Sequence, residues 1–317
     1  MKSAFQFDPN ATEYTTSNAA FLCDAAAQAY ENEGSCRAWA AENGFAEGFH
    51  FIDTSKLDPQ SGTQGYVAES EAAILVAFRG TEPAQLPDVG SDLKTIPIPW
   101  EGLARVHGGF FRAFFAAWNK DFGGGRIFPD LLRNSGGRKI WITGHSLGGA
   151  LAQICATQTE LRDAIPVHAV YTYGQPRVGD EQFARIMNEK LGHKIFRLVN
   201  DRDIVPRVPL YTMEYRHYGR QFYFDRNRSM TESQASVETL MEALNSFRQT
   251  IRMDQLQGAL ADAVRHLIGP SRGGLDDGSL LKELEQALDL KKLAAENTEQ
   301  IGDHLMPSGY KLLFPAS

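Results

Sequence analysis

The chain has only three cysteines, Cys23, Cys36 and Cys155, and none stands at metal-ligand spacing. An odd number in so long a chain argues against a disulfide framework, so the cysteines read as packing residues, with a Cys23 to Cys36 bridge as the alternative. No apolar run is long enough to span a bilayer, and the N-terminal Met1 to Pro9 lacks the apolar centre of a secretory signal. These absences predict a soluble chain, either cytoplasmic or secreted with its signal removed. Basic runs and basic patches interleaved with aromatics are also missing, and 39 acidic against 32 basic residues give a net charge of -7. Without cationic segments to neutralise phosphates, nucleic acid is excluded as the expected partner. Repeats and low-complexity segments are absent as well.

What is present is an alternation of strand-like and helix-like segments, which predicts an α/β fold with a mostly parallel central sheet and helices on both faces. A helix is expected from a Ser17 cap through Tyr30, and paired strands at 65–70 and 72–78. A helix follows near Gly109, then strands at 139–143, 167–173 and 194–199, with a helix at 181–191 between the last two. Residues 226–300 differ in character. Leu240, Leu244, Phe247, Ile251, Leu260, Val264 and Leu267 recur at helical spacing, a glycine-rich break follows, and a second helical run covers 280–295. This predicts a helical insertion within a single domain of 1–317, its apolar stripe packed on the core.

The most informative stretch is Gly144-His145-Ser146-Leu147-Gly148. Before it, Lys139 to Thr143 is β-branched and aromatic; after it, Leu147 to Ala156 is rich in leucine and alanine. Ser146 therefore falls on a sharp strand-to-helix turn, a nucleophile elbow, where the helix N-terminus favours developing negative charge.

A serine hydroxyl needs a base, and the base needs an orienting carboxylate. Three downstream histidines can serve: His217 in a strand-like run over 215–224, His266 in the amphipathic stretch, and His304 in a loop. The loop setting favours His304, with His217 as the alternative. For the acid, Asp203 follows the strand at 194–199, at the sheet end where open α/β folds build their sites, and Asp201 is its rival.

In order along the chain come Phe78-Arg79-Gly80-Thr81, Val106-His107-Gly108-Gly109-Phe110, the elbow, Tyr173-Gly174-Gln175-Pro176-Arg177-Val178-Gly179, and Asn200 to Pro209. This series resembles the class 3 lipases, the fungal-lipase-like α/β-hydrolases, over about residues 18–225 and again from Asp303. The resemblance selects Asp203 over Asp201 and His304 as the base, and implies an oxyanion hole from the amides of Thr81 and Leu147. It further implies a lid over 84–100, with Val89 standing where the family often has tryptophan. The implied function is carboxylic-ester hydrolysis on an ester or lipid substrate, triacylglycerol first, with no metal or organic cofactor. Phospholipase A1 and short-chain or feruloyl-type esterase are the alternatives, and a non-catalytic lipase-like scaffold is the alternative of another class.

Overall fold

The computed structural model describes residues 2–56, 62–80, 97–100, 102, 104–123, 128–201, 203, 205–209, 214–233, 304, 306 and 309–314. Its main sheet is built around a run of five parallel strands. These are β3 (Ala73–Phe78), β6 (Lys139–His145), β7 (Val167–Tyr173), β9 (Ile195–Asn200) and β11 (Arg220–Phe224). Antiparallel strands flank the run: β1 (Gly48–Asp53) and β2 (Gln64–Glu69) beyond β3, and β12 (Met230–Ser233) beyond β11. A smaller sheet joins β4 (Pro97–Pro99), β5 (Arg105–His107), β8 (Gly179–Asp180) and β10 (Tyr215–Arg216) in the order β10-β8-β5-β4.

The strand sequences explain why both faces of the main sheet are covered. Every residue of β3 is buried, as expected for a near-continuous apolar strand inside a parallel sheet. Ile74, Val76, Phe78, Ile140 and Ile142 join one core with the buried sides of α3 (Gly108–Trp118), α5 (Leu147–Thr157) and α6 (Glu181–Leu191). Leu75, Ala77, Trp141, Tyr171 and Tyr173 alternate to the other core, beneath α1 (Thr16–Gln28), α2 (Glu33–Glu42) and the C-terminal Tyr310, Leu313 and Phe314. A short α4 (Phe128–Arg133) completes the helices of the first layer.

Several expectations need correction. The cap of α1 is Thr15, whose side chain accepts from the Asn18 amide at 3.1 Å, while the Ser17 hydroxyl donates to the Gln6 carbonyl. Cys23 and Cys36 are free and buried, in keeping with the packing reading and without the alternative bridge, and the Cys36 thiol turns toward the Gln28 carbonyl at 3.1 Å. The run at 215–224 is two strands of different sheets, separated at Gly219, which takes φ +86°. Residues 226–233 are not helical. Asp225 Oδ1 accepts from the amides of Asn227 and Ser229, Arg228 takes φ 61°, and this turn sends Met230–Ser233 back along β11. The remainder of the expected insertion, 234–300, lies outside the described residues. So does 84–96 of the expected lid, whereas Pro97–Pro99 is strand β4, pairing with β5 and placing Ile98 opposite Val106.

Candidate active site

Strand β6 ends at His145 and α5 begins at Leu147, so the entire reversal falls on Ser146. Its backbone takes φ 56° and ψ -130°, outside the usual regions for an L-residue, at a cost on the order of 1–3 kcal/mol. Hydrogen bonds hold it there: the Ser146 amide donates to the Tyr173 carbonyl at 2.9 Å, and its carbonyl accepts from the Gly149 amide at 2.9 Å. Two flanking glycines let the helix settle so close to the sheet. A Cβ on Gly144 would run into the Gly148 carbonyl, and one on Gly148 into the Phe78 carbonyl. Leu147, as first residue of α5, has one of the amides that an α-helix leaves without an internal partner, beside the serine.

The carboxylate and the imidazole meet at the carboxyl ends of β7 and β9. Asp203 and His304 are both 1% exposed, and His304 Nδ1 lies 2.9 Å from Oδ1 and 3.0 Å from Oδ2 of Asp203. A carboxylate only accepts, so Nδ1 carries the proton and Nε2 is the nitrogen left to exchange one. Among the described residues Nε2 has no hydrogen-bond partner. The ring lies beside the elbow, its centroid 4.6 Å from that of His145, the residue just before Ser146.

Asp203 is itself held from three sides. Its amide donates to the Asn200 carbonyl at 2.8 Å, its Oδ1 accepts from the Val205 amide at 2.9 Å, and its Oδ2 accepts from the Tyr310 hydroxyl at 2.6 Å. The same hydroxyl accepts from the Asn200 amide at 3.1 Å, so Tyr310 ties the acid to the end of β9. Gly174 closes the other side at φ +58°; a Cβ there would sit 2.5 Å from Asp203 Oδ2 and 2.9 Å from His304 Nδ1. Gly174→Ala is therefore expected to push the Asp203 carboxylate and the His304 imidazole apart and, in any reaction that uses the pair, to lower kcat on the order of 10²-fold. An alanine variant with wild-type turnover would show that this close approach does not matter.

The rival residues are occupied elsewhere. Asp201 accepts from the Tyr223 hydroxyl at 3.0 Å and from Arg226 Nε at 3.2 Å, turned toward the β11–β12 hairpin. His217 Nε2 donates to the Pro206 carbonyl at 2.6 Å, and burial, followed by the charges of Arg197 and Arg177, pushes its pKa well below 6.5. It braces the segment that follows Asp203. His266 lies outside the described residues, as does Thr81. Gly80, directly before Thr81, is close enough to the elbow that a Cβ on it would approach Ser146 Cβ to 2.8 Å. Among the described residues no group of three His, Cys, Asp or Glu side chains could hold a metal ion.

Tyr310, Gly174 and Tyr30 are the residues of this region that local sequence patterns did not reveal. Tyr30 places its hydroxyl 2.7 Å from His145 Nδ1. His145, 3% exposed, has its pKa pushed well below 6.5, first by burial and then by the charge of His304. The unfolded chain therefore takes up a proton below about pH 6.5 that the folded chain refuses, and stability is lost as pH falls from that value toward the depressed one. The slope approaches about 1.4 kcal/mol per pH unit for this one group. Urea unfolding between about pH 7.5 and about pH 5 is expected to show a shallower decline for His145→Gln than for the wild type. Equal slopes would mean that His145 takes up its proton in the folded chain.

A serine elbow at the end of a parallel strand, with helices on both faces of the sheet, defines a lipase-like α/β fold. Comparison with known proteins agrees: residues 75–213 match the family model for lipase (class 3). A lipase of Rhizomucor miehei is 32% identical over 168 residues, covering 51% of this chain and 45% of that protein. A triacylglycerol lipase of Arabidopsis thaliana is 28% identical over 203 residues, covering 51% of this chain and 39% of that protein. The chain thus spans less than half the length of these two curated relatives. Among solved structures, the lipase from Rhizopus microsporus var. chinensis superposes with a TM-score of 0.52 at 26% identity, covering 69% of this chain and 82% of that one. No helix among the described residues is long and apolar enough to cross a membrane.

Proposed function

We propose that the chain is a serine carboxylic-ester hydrolase of the α/β-hydrolase type that cleaves acylglycerols, triacylglycerol in particular. The observation that carries this reading is the buried His304–Asp203 pair, 2.9 Å apart, with Nε2 lacking a partner among the described residues and the ring 4.6 Å from that of His145, which precedes the strained Ser146. In this reading Ser146 Oγ attacks the ester carbonyl carbon while His304 Nε2 takes its proton. Asp203 holds the imidazole in the required tautomer and offsets the imidazolium charge. The oxygen of the tetrahedral intermediate becomes an oxyanion and is met by the amides of Leu147 and Thr81; one such donor supplies about 2.7–4 kcal/mol. His304 then protonates the departing alcohol. Water, deprotonated by the same imidazole, cleaves the acyl-enzyme and restores Ser146. The contact between Oγ and Nε2 belongs to this reading, as such bonds are commonly long in unliganded sites and tighten when substrate arrives.

The acylglycerol preference draws support from the relative named as a triacylglycerol lipase. It is tested by incubating the purified chain with emulsified triacylglycerol, with phosphatidylcholine vesicles and with nitrophenyl esters of increasing acyl length, with Ser146→Ala as control. Release of long-chain fatty acid from triacylglycerol is expected. Turnover confined to phosphatidylcholine would identify a phospholipase instead, and turnover confined to short soluble esters an esterase.

A further inference from the structure

The histidine between Gly144 and Ser146 has no part in the proton transfers above, yet it is buried and fully engaged. His145 Nε2 lies 2.7 Å from the main-chain carbonyl oxygen of His304, and its Nδ1 lies 2.7 Å from the Tyr30 hydroxyl. A carbonyl oxygen can only accept, so Nε2 must carry the hydrogen. A neutral imidazole has one donor and one acceptor, so Nδ1 is then a bare lone pair, and the Tyr30 hydroxyl must donate to it. The direction of the whole chain follows: Tyr30 O–H to His145 Nδ1, and His145 Nε2–H to His304 C=O. Reversing the tautomer would set a nitrogen lone pair against a carbonyl lone pair in a buried place, leaving both unsatisfied.

We infer that Tyr30 and His145 are a positioning pair that tethers the base by its main chain, Tyr30 fixing the tautomer of His145 and His145 fixing the distance between nucleophile and base. The inference rests on His304 being the base. Asp203 orients the His304 ring at Nδ1 but acts from the end of β9 and says nothing of where Ser146 stands. His145 is the residue adjacent to Ser146 at the end of β6, so the backbone that carries the nucleophile also carries the tether, across 159 residues of sequence, to the base. The burial that keeps His145 uncharged serves the same arrangement: when His304 becomes an imidazolium, its neighbour 4.6 Å away adds no second positive charge. Tyr30 completes the corner, since its hydroxyl also lies 2.6 Å from where a Cβ on Gly80 would stand, beside the elbow.

Three variants test the pair through kcat, KM and melting temperature on a soluble ester. Tyr30→Phe removes only the hydroxyl. His145→Asn removes the donor that reaches the His304 carbonyl, whereas His145→Gln keeps an N–H at the position of Nε2. Tyr30→Phe and His145→Asn are expected to lower kcat, the latter on the order of 10²-fold, while KM stays near the wild-type value. His145→Gln is expected to recover most of the loss. Nitrogen NMR of the wild type adds a readout independent of turnover, with His145 Nδ1 expected to be unprotonated. Wild-type kcat in Tyr30→Phe and His145→Asn, or a protonated Nδ1, would overturn the inference, and so would a His145→Gln variant as impaired as His145→Asn. Ser146→Ala separates this failure from that of the mechanism: turnover by Ser146→Ala would remove the mechanism itself, whereas its inactivity beside a fully active His145→Asn would remove only the tether.

Discussion

Ser146→Ala is expected to lower kcat for ester hydrolysis on the order of 10⁴- to 10⁶-fold, with an unchanged melting temperature or a slight gain in stability. The size of the effect follows from chemistry. Without Oγ no acyl-enzyme forms, and what remains is binding and oxyanion stabilisation acting on water. Stability holds because Ser146 contributes to the fold through its main chain, bonded to Tyr173 and Gly149 at 2.9 Å, and alanine retains both bonds. Steady-state turnover together with thermal unfolding checks both halves. Substantial turnover by a folded Ser146→Ala would mean that another group attacks the ester.

The second large effect belongs to the pair proposed to activate the serine. His304→Ala is expected to cost nearly as much as Ser146→Ala, and the double variant little more than either single one, since residues acting as one unit are not additive. Asp203→Asn keeps the shape of the acid but replaces one accepting oxygen with a donor facing Nδ1, which forces the wrong tautomer on His304. Its kcat is expected to fall on the order of 10⁴-fold. That variant also leaves the Tyr310 hydroxyl, now 2.6 Å from Oδ2, facing an altered acceptor, so some stability loss should accompany it. If His217→Ala were the inactive variant and His304→Ala the active one, the base would have been misassigned. The occupied Nε2 of His217, 2.6 Å from the Pro206 carbonyl, argues that it will not be.

The elbow could be read in the sequence because everything that defines it is local. A β-branched strand, a small-residue turn and a leucine- and alanine-rich helix follow one another from Lys139 to Ala156, and the structure has β6, Ser146 and α5 in those places. The parallel strands β3, β7 and β9 were legible for a similar reason, being short apolar runs buried on both faces. Edge strands were not. In β1 the residues Gly48 to Asp53 are mostly half-buried and carry a weak pattern, and β12 depends on the turn at Asp225 rather than on any apolar period.

Pairing at long range was the least legible part. Asp203 and His304 lie 101 residues apart; their local settings favoured each, but the resemblance to the class 3 lipases, rather than any spacing, selected them as a pair over Asp201 and His217. Tyr310 meets Asp203 across 107 residues and Tyr30 meets His145 across 115, and a tyrosine carries no local mark of a partner so distant. Gly174 left a faint trace as a glycine at the end of a strand, but its purpose, to leave room for the Asp203–His304 contact, appears only when β7 and β9 are side by side.

The central claim is that Ser146 forms a covalent acyl-enzyme by an attack that His304 assists. The most direct measurement is the intact mass of the chain after reaction with an alkyl phosphonate ester, followed by peptide mapping of the adduct. One phosphonyl group per chain on Ser146, absent in Ser146→Ala and formed far more slowly in His304→Ala, is the predicted result. An adduct on any other residue, or labelling of Ser146 at an undiminished rate in His304→Ala, would contradict the account.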